Sequence, residues 1–275
     1  MNAWKTASLS QRLRTAVKAR PRLYAMLLPC VRAIRHASRG EAARNLEKFR
    51  EACKSIPTMT DAPFFVKVGA NDGVTGDPCS DLLLGPGNWK GLLVEPVPYC
   101  LARLEANFPD RERFAVAPLA IGSREGDAPF YYVDERARAA LPGLPPYYDQ
   151  LGSFNREHIV KHLEGALEPF ILEKRVQVTR LARLLDERGI GEVHLLHVDV
   201  EGFDFEVLKS LELPKHAPVL IFIEHKHLAR SDRDAMSRML RENGYTVRDC
   251  GGDFFALHEA GLRTIRARAA GARRA

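Results

Sequence analysis

An α/β fold, a three-layer sandwich around a mostly parallel sheet that closes with an antiparallel hairpin, is predicted by three features of the sequence. Short β-branched or aromatic runs alternate with amphipathic helical stretches between residues 64 and 243, the order expected of repeated βαβ units. The runs are apolar almost throughout, as parallel strands covered on both faces must be. At 275 residues, 45% apolar and 28% charged, the chain can build one large core with appendages but hardly two.

Residues 1–56 read as a basic helical extension, with Leu13, Val17, Leu23, Leu27, Leu28, Val31 and Ile34 at loosely helical spacing. Such a segment can pack on the domain with its basic face in water, or lie on an anionic membrane surface or a partner. Leu46, Phe49 and Ile56 suggest that its last turns enter the core, and Pro57 and Pro63 close it off. Residues 57–261 form the main domain. Its first strand is Phe64 to Val68, and Asp77-Pro78 reads as the N-cap and first position of a helix through Leu82, Leu83 and Leu84. Leu92 to Glu95 is the second strand, Tyr99 to Asn107 a helix, and Phe114 to Ile121 the third strand. After a short strand at Phe130 to Val133, the Pro- and aromatic-rich stretch 141–172 is expected to cover a site. Val176 to Val178 is an edge strand, and Leu181 to Arg188 a helix stopped by Gly189. Val193 to Asp199 and Val219 to Glu224 are sheet strands, separated by a helix from Phe203 to Leu211. A helix from Asp232 to Asn243 precedes the hairpin of Tyr245 to Arg248 with Phe254 to His258, turned at Gly251-Gly252. Residues 262–275 are expected to be a basic tail.

Charge is unevenly spread. Residues 1–54 hold 13 Lys and Arg against 3 acids, and residues 262–275 hold 5 Arg and no acid. The segment between has 23 basic and 32 acidic residues, a net of −9 inside a chain whose total is +6. An acidic body disfavours nucleic acid as partner, because phosphate neutralisation supplies most of that affinity. The five cysteines are scattered, with no Cys-x-x-Cys pair, and read as reduced thiols in a cytoplasmic protein. No cleaved leader or membrane span is expected, since the most apolar N-terminal stretch is short and broken by Pro29 and Arg32.

The stretch from Phe64 to Gly73 carries the chemistry. An apolar strand stops at Gly69, a Gly- and Asn-rich turn follows, and a second strand ends on Glu95, near the interval at which an acid accepts hydrogen bonds from ribose. Asp72 and Asp77 in or near that turn oppose a pyrophosphate, and G-A-N-D-G lacks the G-x-G-x-x-G spacing of a dinucleotide site. S-adenosylmethionine has no phosphate and carries a cationic sulfur, so the turn is read as a methyl-donor site. Ala120 and Ile121, leaving the third strand, are candidate contacts to the adenine.

The segments Val68-Gly69-Ala70-Asn71-Asp72-Gly73, Gly91 to Pro96, Leu151-Gly152-Ser153-Phe154, Val198 to Phe203 and Phe222 to His225 together resemble the FkbM family of S-adenosylmethionine-dependent methyltransferases. The resemblance implies the Rossmann-like class I methyltransferase fold with seven strands. It also implies O-methylation of a sugar, glycan, glycolipid or similar small molecule. On the matching positions it implies that Gly69, Ala70 and Asn71 contact the methionine part of the donor, Glu95 the ribose, and Asp199 the donor or the acceptor hydroxyl. Lys67 departs from the acid that many class I methyltransferases carry two residues before the first glycine.

Asp199 and Glu224 each end a strand and should converge on the ligand crevice at the carboxyl edge of the sheet. His225 beside Glu224 is a candidate base for the hydroxyl. A hard ion such as Mg²⁺, held by Asp199, Glu201 and Glu224, is the alternative activator. A contrasting expectation is a non-catalytic binding or scaffold protein that docks through its basic ends.

Overall fold

The computed structural model of the protein describes residues 21–272, with side chains from residue 38 to residue 271. Two compact units divide the chain, residues 1–44 and 45–275. The first helix, α1, is Pro21–Ser55. The expected membrane contact of residues 1–54 falls in part on residues outside the described range. Among the described residues, no helix is long and apolar enough to cross a membrane.

The second unit alternates strands and helices as expected. It runs β1 Phe64–Val68, α2 Ser80–Leu84, β2 Lys90–Val94, α3 Pro98–Asn107, β3 Phe114–Ala117, β4 Ala120–Ile121 and β5 Gly126–Val133. The insertion follows, with α4 Ala137–Ala140 and α5 Arg156–Val160, and leads to β6 Ile171–Thr179 and α6 Leu181–Glu187. The chain ends with β7 Leu195–Val198, α7 Asp204–Ser210, β8 Leu220–Glu224, α8 Arg230–Glu242, β9 Tyr245–Asp249, β10 Asp253–His258 and α9 Glu259–Ala272.

Seven strands form one sheet in the order β3-β2-β1-β7-β8-β10-β9. The first five are parallel, and β10 runs antiparallel to both neighbours. This is the mostly parallel sheet with a terminal antiparallel hairpin that the strand runs predict, and it has the seven strands of the class I methyltransferase fold that the family resemblance implies. The order turns around at β1, whose neighbours are β2 on one side and β7 on the other, so a crevice opens past the carboxyl ends of these strands.

Side-chain alternation along β1 builds the three layers. Val66 and Val68 join a cluster with Leu184 of α6, Leu208 of α7 and Met236 of α8. Phe65 joins the opposite cluster, with Phe49 and Cys53 of α1, Leu83 of α2, Leu104 of α3 and Ile265 of α9. Phe49 stacks on Phe222 of β8 with ring centroids 4.4 Å apart, so the last turns of α1 belong to the core, as Leu46 and Phe49 suggested.

Three local readings are corrected. The expected strand Phe114 to Ile121 breaks at Pro118, which has no N–H for the ladder. Its second half, β4, instead pairs with β6 in a separate three-stranded sheet, β4-β6-β5. Asp77 does not cap a helix: α2 begins three residues later, and the Asp77 side chain is only 2% exposed. The segment expected as a basic tail is the helix α9, with Leu262 and Ile265 buried in the core.

Candidate active site

The turn after β1 is shaped by its glycines. Gly69 has φ +75°, and a Cβ there would lie 1.8 Å from the Asp199 carbonyl oxygen, so only glycine lets the exits of β1 and β7 come this close. The Gly69 and Ala70 N–H groups both donate to Val94 O, at 3.1 and 3.0 Å, which ties the turn to the end of β2. Asn71 follows at φ 47°, a left-handed conformation that asparagine tolerates. Its N–H donates to Glu95 Oε2 at 2.8 Å, while the Val97 N–H donates to Glu95 Oε1 at 2.8 Å. Both carboxylate oxygens are thereby held in place, and each keeps a lone pair for a ligand hydroxyl. Burial pushes the Glu95 carboxyl up to about 7 against these two donors.

A cavity of about 350 Å³ lies over this turn. Gly69, Ala70, Asn71, Glu95, Ala120, Ile121, Asp199 and Glu224 all line it. The insertion forms its other wall through Asp149, Gln150, Gly152, Ser153 and Phe154, as expected of that Pro-rich stretch. Asn71 Nδ2 donates to Asp149 O at 3.0 Å and Gln150 Nε2 donates to Thr75 O at 3.2 Å, so the insertion is fastened directly to the glycine turn.

Asp199 sits just past β7, where the chain leaves the sheet. It is open to the cleft, yet protein surrounds its other sides, and among the described residues no hydrogen bond or ion pair engages its carboxylate. Burial and the neighbouring Glu201 push its carboxyl up. Asp204, the first residue of α7, is fully buried and fastens the loop between β7 and that helix, accepting the N–H groups of Val200 and Gly202 at 3.1 and 3.0 Å. Glu224, at the end of β8, has a side chain 2% exposed and pairs with Lys226 Nζ at 2.5 Å. Burial, Asp199 and Glu201 together push it up to about 8. Asp253, on β10, is pushed up to about 6 by burial and by Asp199. The end of the cavity facing β7, β8 and β10 is therefore rich in carboxylates, with Lys226 among them.

Two expected residues lie elsewhere. His225 does not line the cavity: its ring packs on Phe254 at 4.1 Å, with Nε2 3.7 Å from Asp249 Oδ1. As the next residue after Glu224, it points away from the side that Glu224 faces. Glu201 is also absent from the cavity wall, because the chain turns at φ 54° there and at φ 99° in Gly202. The set expected for Mg²⁺ is consequently not assembled. The acids that meet are Glu201 and Glu224, and His227 rather than Asp199 joins them within 4.8 Å. An imidazole nitrogen is a poor partner for Mg²⁺.

The residues that local reading missed are Asp77, His197, Lys226 and Asp253, which share the cavity with Lys67. Lys67 is buried in β1, and Asp77 Oδ2 neutralises it at 2.5 Å while also lying 3.1 Å from His197 Nδ1. Burial pushes the Asp77 carboxyl up, but Lys67 and His197 outweigh it and hold it well below the usual carboxylate range. The lysine in the first strand is the signal that could have located Asp77, because a buried ammonium requires a nearby counter-charge.

No protein of curated function matches the chain significantly. Among solved structures, methyltransferase FkbM from Methylobacillus flagellatus KT is 14% identical over 72% of this chain, with a TM-score of 0.44. The present chain spans 44% of the length of that protein. Fibrillarin from Aeropyrum pernix, in complex with natively bound S-adenosyl-L-methionine, is 12% identical over 71% of this chain and 65% of its own, with a TM-score of 0.34. Precorrin-6y C5,15-methyltransferase from Geobacter metallireducens is 8% identical, covering 76% of this chain and 84% of its own at a TM-score of 0.37. The family model for the methyltransferase FkbM domain matches residues 67–247, from the first strand through the terminal hairpin's first arm. With that match over well more than half its length, the chain belongs to the FkbM methyltransferase family.

Proposed function

We propose that the protein transfers the methyl group of S-adenosylmethionine to a hydroxyl of a sugar, glycan or glycolipid. One observation carries the reading: the Asp199 carboxylate, unpaired, lies in the same cavity as the Gly69 turn and Glu95. The residues suit the donor. Glu95, already oriented by two backbone N–H groups, accepts hydrogen bonds from vicinal ribose hydroxyls. Ala120 and Ile121 offer an apolar wall to the adenine, and the carboxylates at the far end favour a cationic sulfur over an anionic ligand.

The bound donor supplies an electrophilic methyl group. Displacement at that carbon is in line, so the chain contributes by positioning the acceptor oxygen. Asp199 accepts the hydroxyl proton as the oxygen bonds the methyl carbon and a neutral thioether departs. Gln150, Ser153 and Asp253 offer hydrogen-bonding groups, and Phe154 and Phe203 offer ring faces, the combination that a pyranose needs. The acidic character of this cavity speaks against a polyanionic acceptor.

Incubating the full chain with donor labelled in the methyl group and a panel of sugars, glycolipids and RNA tests the reading. Label should enter a sugar-bearing acceptor. Asp199→Asn should keep binding to S-adenosylhomocysteine and lower transfer by about 10²–10⁴-fold. Binding without transfer to any acceptor would favour a scaffold role, and preferential labelling of RNA would overturn the acceptor class.

A further inference from the structure

Behind the wall formed by Glu224 lies a second cluster, which shares only that residue with the cavity. His227 Nε2 is 3.0 Å from Glu201 Oε2 and 3.9 Å from Glu224 Oε1. His158 Nε2, from helix α5 of the insertion, reaches the same Glu201 Oε2 at 3.4 Å. The His158 and His227 rings are 5.3 Å apart, and the ring of His162 lies 5.0 Å from His158 and 6.1 Å from His227. Glu201 and Glu224 have side chains 9% and 2% exposed. Glu201 Oε2 faces the two imidazoles, whereas Glu224 Oε2 is buried without a hydrogen-bond partner.

Buried carboxylate oxygens left without donors cost free energy unless something else compensates them. The spacing indicates what would. Four ligands bonded to one ion at about 2.0–2.2 Å stand roughly 3.3–3.5 Å from one another in a tetrahedron. The ligand atoms of Glu201, Glu224 and His227 lie within 4.8 Å of one another, and their contacts of 3.0 and 3.9 Å bracket that edge length; His158 Nε2 is outside this mutual set and approaches it through Glu201, at 3.4 Å. Two imidazoles with two carboxylates form a nitrogen and oxygen donor set that suits zinc and not Mg²⁺ or Ca²⁺.

We infer that Glu201, Glu224 and His227 form a zinc site, onto which His158 closes from the insertion as the fourth ligand. Its ligands come from the exit of β7, the end of β8, the turn after β8, and the insertion. A bound ion therefore staples the insertion, whose residues wall the cavity, to the carboxyl edge of the sheet. Lys226 is the competing cation. Its ammonium holds Glu224 Oε1, but its side chain is 53% exposed and can turn to solvent when an ion arrives.

Zinc alone is a sufficient probe, and the inference stands apart from the methyl-transfer reading because its readouts need neither donor nor acceptor. The full chain, freed of metal by chelation, is titrated with ZnCl₂ by calorimetry, and with CoCl₂ while the visible absorption of tetrahedral cobalt is recorded. The expected result is one ion per chain, an intense cobalt band and a higher melting temperature with zinc. His227→Ala should weaken zinc binding by more than ~100-fold, beyond the loss typical of residues that only orient ligands. His158→Ala provides the same comparison at a site where removing the ring does not endanger the core. Lys226→Met should tighten binding. Absence of stoichiometric zinc, or equal affinity in the wild type and both histidine variants, overturns the site. Zinc bound equally well after His158→Ala but lost in His227→Ala would overturn the staple.

Discussion

Replacing Glu95 by Gln removes the charge on which donor binding is argued to rest while keeping the shape of the side chain. In the wild type, Asn71 N–H and Val97 N–H each donate to one carboxylate oxygen at 2.8 Å. An amide can accept only one of these donors and must set its NH₂ against the other. It also offers one acceptor where two ribose hydroxyls need two. Hydrogen bonds to a charged partner contribute about 1.5–3 kcal/mol each, so losing one or two should cost on the order of 3 kcal/mol. That is roughly a 100-fold weaker dissociation constant for S-adenosylhomocysteine. The pH dependence gives a second handle. Burial raises the Glu95 carboxyl from its ordinary 4.5 to about 7 in the free protein. Ligand binding needs the ionised form, so affinity should fall about tenfold between pH 8 and pH 6, with a proton released on binding at the lower pH. Stability of the free protein runs the opposite way. The folded state binds the proton more tightly than the unfolded one, so the Glu95 contribution is full below pH 4.5 and is lost by pH 7, roughly 3 kcal/mol in all. Calorimetric titration at pH 6, 7 and 8 in buffers of different ionisation enthalpy measures affinity and proton release together. A variant within threefold of the wild type, or a wild-type affinity flat across this range, would refute the role of Glu95.

Four further substitutions probe the frame of the domain. Gly69→Ala places a Cβ 1.8 Å from the Asp199 carbonyl oxygen and 2.9 Å from Val200 Cγ1, so β1 and β7 must separate. Thermal melts should reveal a marked loss of stability together with loss of donor binding, and a normal melt with normal binding would contradict the geometry. Lys67→Met leaves the Asp77 carboxylate buried without its ammonium partner, at a cost of about 3–5 kcal/mol by urea unfolding. A cost below about 1 kcal/mol would mean that His197 suffices as partner. Leu262→Ala and Ile265→Ala, in the segment that reads as a basic tail, should each destabilise by about 2–5 kcal/mol, because both side chains are buried. Unchanged denaturation midpoints would return this segment to the role of a tail.

Where local chemistry sets the outcome, the sequence by itself determined it. The apolar runs at 64–68, 90–94 and 220–224 became strands because a sheet buried on both faces admits little else. The turn at Gly69 and the acid at Glu95 lie on one short βαβ unit, so their spacing alone brings them together. The same holds for the hairpin after Asn243, whose two arms are neighbours in sequence. Tertiary structure decided whatever depends on partners far along the chain. Asp77 has the local signature of a helix cap, but Lys67 from β1 and His197 from β7 claim its carboxylate. Of two nearby histidines, His225 turned to Phe254 and His227 to Glu201, a choice set by how the chain bends beyond β8. His158 carries no motif, and only the folding of the insertion places it beside Glu201. Periodicity and turn chemistry act over a few residues, whereas the pairing of buried charges is settled by which elements the sheet order makes neighbours.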